Sequence, residues 1–143
     1  KFLIYTSNFK NMETLPSNII PISICGKPPD WYHGLQYKKL APKLSFFSIW
    51  KETHDDNYYI NHFSDEILLG LNQTDVITDL KHLCNKSMYD NIDIVLLCYE
   101  EPNEFCHRHL VAFWLELFLD IKTYEIKEES NFIIKIQEKC INF

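Results

Sequence analysis

The sequence has very little glycine, with three residues in 143. Glycine-rich loops that cradle phosphate groups, such as G-x-G-x-x-G and G-x4-G-K-[ST], are therefore excluded. The G-x-S-x-G motif of serine hydrolases and the H-E-x-x-H motif of zinc proteases are also absent. No stretch reaches the ~18 apolar residues that a membrane-spanning helix needs, so we predict no contact with a membrane.

Positive charge is also scarce, because Arg108 is the only arginine and the formal net charge is −6. A protein that coats nucleic acid needs many Lys and Arg contacts to phosphate, so we do not expect non-specific nucleic-acid binding. The five cysteines are an odd number and do not form the paired framework of a small secreted domain. We therefore expect reduced thiols and a cytoplasmic location, and the first six residues contain no apolar core of a signal peptide.

Apolar and aromatic residues are plentiful, at 46% and 15%, which indicates a folded core rather than a disordered chain. The length suits one domain, and we predict that residues 1–143 form a single domain. Short apolar runs predict strands at 2–5 and 19–25, and a nearly continuous aliphatic run predicts a central strand at 92–98.

Helical spacing of apolar residues predicts helices over 59–71, over 74–84 with a cap at Thr74, and over 107–120. The aromatic-rich residues 30–50 show no clear period, and we predict a mostly irregular segment with one short helix at 36–40. Alternation at 121–126 and 132–136 predicts a final hairpin. Strands interleaved with helices predict an α/β fold, a small Rossmann-like three-layer domain with a mainly parallel sheet.

Polar side chains follow three of the predicted strands. Thr6 and Ser7 follow the first strand, Lys27 follows the second, and residues 98–107 follow the central one. Ligands of open parallel sheets bind outside the carboxyl ends of the strands. We therefore expect these three loops to share one pocket.

Cys106 lies at the predicted start of a helix, where unpaired N–H groups and the helix dipole stabilise negative charge. His107 and Arg108 add positive charge, and cysteines in such places are the reactive kind. The same features favour a bound phosphate, to which Arg108 offers a forked contact. Both interpretations stay open. Glu100 is a candidate general base, and Tyr32 a candidate for stacking on a planar ligand.

Cysteine and histidine atoms near the central strand raise the question of a metal. Cys98, Cys106, His107 and His109 carry such atoms, but the spacing C-x7-C-H-x-H matches no pattern that builds a tetrahedral zinc site. We therefore predict no metal and no other cofactor. Cys98 ends an aliphatic strand, and its most frequent role there is that of a small buried core residue.

Residues 98–100 (C-Y-E), Pro102 and residues 106–108 (C-H-R) resemble the C-x-E, Pro, C-H-R signature of the domain-of-unknown-function 488 (DUF488) family. The resemblance extends over most of the chain up to residue 126. It implies an α/β Rossmann-like fold and no settled activity.

Two features depart from the family pattern. Cellular members often carry Asp-Val-Arg after the second strand, where this chain has C-G-K-P-P at 25–29, so Lys27 is at best a substitute cation. The opening turn also lacks the usual glycine. We interpret these differences as a divergent branch, for which a phage or mobile-element origin is one candidate.

The leading functional hypothesis is a domain that binds a small anionic ligand, phosphorylated or nucleotide-like, at the strand ends. The predicted ligand contacts come from Thr6, Ser7, Lys27, Tyr32 and Arg108. As an enzyme it would be a hydrolase or transferase with Cys106 as nucleophile and His107 or Glu100 as proton carrier. The alternatives are a non-catalytic protein that sequesters a nucleotide signal or a protein partner, and a metal or redox protein that uses Cys98 and Cys106.

Overall fold

The computed structural model of the chain describes residues 3–86, 93–100, 104–119 and 122–126. Five strands form one sheet in the order β3-β2-β4-β1-β5, and every neighbouring pair is parallel. The strands are β1 (Leu3–Asn8), β2 (Ile19–Ser23), β3 (Leu35–Gln36), β4 (Asp93–Cys98) and β5 (Thr123–Glu125). The α-helices are α1 (Leu44–Thr53), α2 (Asp56–Phe63), α3 (Gln73–Leu83) and α4 (His107–Leu119). The predicted α/β fold with a mainly parallel sheet is confirmed.

β4 is the central strand, and it is covered on both faces. Successive side chains of a strand point to opposite faces. Ile94 and Leu96 join the apolar cluster that contains buried apolar residues from each of the four α-helices. Val95 and Leu97 join a second cluster on the other face, which a 3-10 helix (Phe9–Thr14) and the loop around Tyr32 cover. This double burial explains why β4 is an almost unbroken aliphatic run.

β1 and β2 differ in length from their predictions. β1 continues past Tyr5 because β4 and β5 flank it on both sides, and Thr6 pairs with Leu96 and with Glu125. Thr6 and Ser7 therefore lie within a strand rather than in a loop. β2 ends at Ser23, although the N–H of Ile24 still donates to the carbonyl of Leu97 at 3.1 Å.

The segment 30–50 is more regular than its composition predicts. It contains β3, a 3-10 helix (Lys38–Leu40) close to the predicted short helix, and the start of α1, which was not predicted. α1 ends at Thr53, and the capping residue His54 has a φ of 54° and donates its N–H to the carbonyl of Trp50 at 2.7 Å.

The two helices that follow were predicted with shifted ends. α2 ends at Phe63, and a π-helical turn (Ser64–Leu68) follows it directly. α3 begins after Asn72 rather than Thr74, because the Asn72 side chain accepts a hydrogen bond from the N–H of Asp75.

The last described strand, β5, falls within the predicted strand 121–126. It pairs with β1, while its predicted hairpin partner at 132–136 lies outside the described residues. The single domain over residues 1–143 therefore stays a prediction. In the part of the chain that the structure describes, no helix has the length and apolar character to cross a membrane.

Candidate functional site

A cavity of about 340 Å³ opens at the carboxyl ends of β2 and β4. Three segments form its polar side: the loop after β2, the loop after β4 and the start of α4. The rest of the lining comes from α1, α2 and the residues just before α1. The lining residues are Cys25, Gly26, Lys27, Pro42, Leu44, Phe47, Trp50, Tyr59, Cys98, Tyr99, Glu100, Phe105, Cys106 and His107.

Cys98 and Cys106 are joined by a disulfide at the base of this cavity. Cys98 is the last residue of β4 and Cys106 directly precedes α4, so the loop between the two elements brings them together. The expectation of reduced thiols was wrong for this pair. Cys25 and Cys84 are free. Cys98 is indeed buried, as its position predicted, but it also lines the cavity.

His107 is held in one orientation beside Cys106. Its Nε2 lies 2.7 Å from the carbonyl oxygen of Ile24, which can only accept, so Nε2 carries the proton in the neutral ring. Nδ1 is left with a lone pair and lies 3.8 Å from Cys106 Sγ. Burial lowers the pKa of His107 to about 4, and the nearby Arg108 charge acts in the same direction. At neutral pH the imidazole is therefore uncharged.

Arg108 points into the protein and not into the cavity. Its guanidinium binds the carboxylate of Glu125 through Nη2 at 2.8 Å and Nε at 3.3 Å, and both side chains are fully buried. Nη1 lies 3.0 Å from Cys98 Sγ and donates to the carbonyl of Glu100 at 2.9 Å. Arg108 therefore contacts the site from the protein core, through Cys98 Sγ and through the Glu100 carbonyl in the loop after β4.

Thr6 and Ser7 do not reach the cavity. Thr6 Oγ1 donates to Glu125 Oε1 at 2.5 Å, and Ser7 Oγ donates to the carbonyl of Ile126 at 2.9 Å. Both residues are fully buried within β1. The predicted convergence of three loops is therefore reduced to two, and the ligand contacts assigned to Thr6 and Ser7 have no geometric support.

Glu100 and Lys27 do line the cavity. Burial raises the pKa of the Glu100 carboxyl, and the positive charge of Arg108 only partly offsets this effect. Lys27 is exposed at the rim, where its backbone carbonyl accepts a 2.6 Å hydrogen bond from the hydroxyl of Tyr99. A cation and a carboxyl with a raised pKa therefore face the same space.

The aromatic side of the cavity contains none of the predicted site residues. Phe105 packs against Trp50 at 5.5 Å and against Tyr59 at 5.0 Å between ring centroids, and Phe47 extends this surface. We call Phe47, Trp50, Tyr59 and Phe105 the aromatic wall.

Tyr32, the predicted stacking residue, lies elsewhere. It is buried against Phe9, with 5.3 Å between the ring centroids, and its hydroxyl donates to the carbonyl of Leu35 at 2.6 Å.

Sequence reasoning also missed Glu125, because nothing in the chain marks it as the partner of an arginine 17 residues earlier.

A family model described as the active DUF488-N3 subclade, DUF488-N3a, matches residues 11–118, which is more than half of the chain. No curated protein and no solved structure matches it. The matched range includes both cysteines of the disulfide and the glutamate between them.

Proposed function

The chain belongs to the DUF488 family, in its active DUF488-N3 subclade, and on this premise we propose that its cavity binds a nucleotide-like ligand and acts on it through Cys106. One observation carries the proposal. A cysteine, a neutral imidazole and a half-buried carboxyl line the same cavity as the aromatic wall.

The shape and lining of the cavity favour a planar, anionic ligand. Its volume of about 340 Å³ falls in the range of small-molecule pockets. Stacking of a base on an aromatic side chain contributes about 1–3 kcal/mol, and the aromatic wall offers such a surface. Glu100 can hold the polar edge of a heterocycle, and Lys27 at the rim can bind a phosphate.

The proposed chemistry begins after a dithiol reductant has opened the disulfide. As Cys106 Sγ attacks an electrophilic centre of the ligand, its thiol proton passes to His107 Nδ1. The bond to the leaving group breaks, and Glu100 supplies a proton to it. Water, or a second acceptor that carries a proton, then displaces Cys106 from the intermediate. The proton of the water or acceptor returns to Glu100, and His107 returns its proton to Cys106 Sγ. The activity is that of a hydrolase or transferase, and the need for a reduced cysteine suits a cytoplasmic location.

The test is turnover by the reduced protein. Nucleoside mono-, di- and triphosphates are incubated with wild type, Cys106→Ser and Cys84→Ser, and the products are separated by chromatography. Cys84 is a matched control because it is free and lies outside the cavity. We expect turnover by wild type and Cys84→Ser, and binding without turnover by Cys106→Ser. Binding without turnover by wild type would overturn the catalytic part and support a sequestering protein.

The disulfide favours thiol–disulfide exchange as a second candidate function. A substrate dithiol would pass two electrons to the Cys98–Cys106 disulfide, become a disulfide itself and leave its two protons on the cysteine sulfurs. Replacing Cys98 with Ser separates the two functions. It abolishes exchange, whereas turnover of a nucleotide-like ligand through Cys106 would continue.

A further inference from the structure

Three metal-ligating side chains meet at the base of the cavity. One ligating atom from each of Cys98, Cys106 and His107 lies within 4.8 Å of the other two. The end of β4 supplies one residue and the start of α4 supplies two, so the fold creates a proximity that the sequence spacing conceals. All three side chains are buried and all three line the cavity.

The surroundings of these atoms suit metal ligation. His107 donates its Nε2 proton to the carbonyl of Ile24, which leaves the Nδ1 lone pair facing Cys106 Sγ at 3.8 Å. A hydrogen bond from the second ring nitrogen to a carbonyl is the usual support of a metal-binding histidine. On the other side, Nη1 of Arg108 points at Cys98 Sγ from 3.0 Å, a contact that favours sulfur as a thiolate.

We propose that the reduced protein binds a thiophilic divalent cation such as Zn²⁺ through Cys98 Sγ, Cys106 Sγ and His107 Nδ1. A phosphine or dithiol reductant supplies two electrons to the disulfide and gives two thiols. The cation then replaces the two thiol protons, which pass to solvent. Sulfur binds Zn²⁺ at about 2.3 Å. The Cα atoms of Cys98 and Cys106 are 7.5 Å apart, which leaves room for a cation between the separated sulfurs.

Three protein ligands leave the fourth position of a tetrahedral ion open. Because the three residues line the cavity, that position faces it, and water or a ligand atom from the cavity can complete the site. The cation also reaches the sulfurs by this route. A bound cation would occupy Cys106, so Zn²⁺ inhibits the nucleophilic chemistry proposed above. The metal site itself does not depend on that chemistry.

Cobalt spectroscopy of the full chain tests the site without any assay of activity. The protein is reduced with a phosphine under anaerobic conditions and titrated with Co²⁺. We expect one equivalent to give a thiolate-to-cobalt charge-transfer band and the visible bands of a tetrahedral ion, and Zn²⁺ to displace it. Cys98→Ser, Cys106→Ser and His107→Gln should each weaken Co²⁺ binding at least about 100-fold. Cys84→Ser, at a free cysteine outside the cavity, should leave it unchanged.

Alkylation gives a second readout that holds even if a variant fails to fold. In the wild type, Zn²⁺ should protect Cys98 and Cys106 from iodoacetamide while Cys84 reacts at its usual rate. The site is overturned if no charge-transfer band appears, or if Cys25→Ser abolishes the band and Cys98→Ser keeps it. It is also overturned if Zn²⁺ protects neither Cys98 nor Cys106. If the protein shows the expected cobalt spectrum but does not turn over any nucleotide, the proposed function is refuted and the metal site is not.

Discussion

Arg108 and Glu125 form a fully buried, two-pronged ion pair behind the cavity, with Nη2–Oε2 at 2.8 Å and Nε–Oε1 at 3.3 Å. The remaining nitrogen of Arg108 contacts Cys98 Sγ and the Glu100 carbonyl. The pair therefore connects β5, α4 and the loop after β4. Arg108 in the C-H-R motif supports the site from within the core, rather than holding an anion in the cavity.

Replacing Glu125 with Gln should destabilise the protein strongly. The change leaves the Arg108 charge buried without its counter-ion, and breaking such a pair typically costs about 3–5 kcal/mol of the free energy of unfolding. Urea unfolding of the two proteins measures the loss. The exposed pair between Lys39 and Asp79 is the control, and Lys39→Met should cost less than about 1 kcal/mol. Equal losses in the two variants would contradict the role given to the buried pair.

The hydrogen bond from Tyr37 to Asp79 should give a pH-dependent contribution to stability. The Tyr37 hydroxyl donates to Asp79 Oδ2 at 2.6 Å, and this bond, followed by Lys39, lowers the pKa of the Asp79 carboxyl. Because the pKa is lowered in the folded state, the stabilisation is fully present above the pKa of Asp79 in the unfolded chain, which is about 4. The stabilisation is lost as the pH falls through the pKa of the folded state.

Tyr37→Phe should therefore be about 1 kcal/mol less stable than wild type at neutral pH, with a difference that shrinks in acid. Urea unfolding at a series of pH values measures it. In an Asp79→Asn background the same change should cost an amount that does not vary with pH over this range. A pH-independent loss in the wild-type background would show that the bond to the carboxylate is not its source.

The disulfide predicts a specific labelling pattern. When the protein is denatured without reductant and alkylated, Cys25 and Cys84 should be modified, while peptides containing Cys98 and Cys106 should remain linked. After reduction, Cys98 and Cys106 should be modified as well. Alkylated Cys98 and Cys106 in the sample that was never reduced would mean that the pair is a dithiol in the purified protein.

The aromatic wall should contribute to ligand affinity. Trp50→Ala removes one stacking surface and should weaken binding of a nucleotide-like ligand roughly 5- to 150-fold, which corresponds to about 1–3 kcal/mol. Calorimetric titration of the reduced protein measures the change. Trp31→Ala is the matched control, because Trp31 is 56% exposed and lies outside the cavity. Equal affinities of the two variants would remove the aromatic wall from the binding site.

Strong local patterns made part of this structure predictable. The continuous aliphatic run of β4 and the helical spacing of apolar residues in α4 are local patterns that can be read from the sequence. The tertiary contacts of both elements agree with these patterns. Cys106 and His107 could be placed at the start of α4 for the same reason. Glu100 followed because it lies two residues beyond the end of β4.

Long-range contacts made the rest unpredictable. α1 was not predicted because its sequence has no regular apolar stripe. Phe46 is its one fully buried side chain, whereas Phe47 and Trp50 line the cavity. The orientation of Arg108 depends on Glu125, which reaches it only after β5 has paired with β1. Its position at the start of a helix led to the prediction that Arg108 contacts a ligand. In the structure the side chain instead binds the buried carboxylate of Glu125.

The most direct test of the central claim is the alkylation rate of Cys106 in the reduced protein, measured by peptide mass spectrometry with and without each member of a nucleotide panel. If a nucleotide-like ligand occupies the cavity, at least one member should slow alkylation of Cys106 and leave the rate at Cys84 unchanged. An unchanged Cys106 rate with every member of the panel would contradict the account.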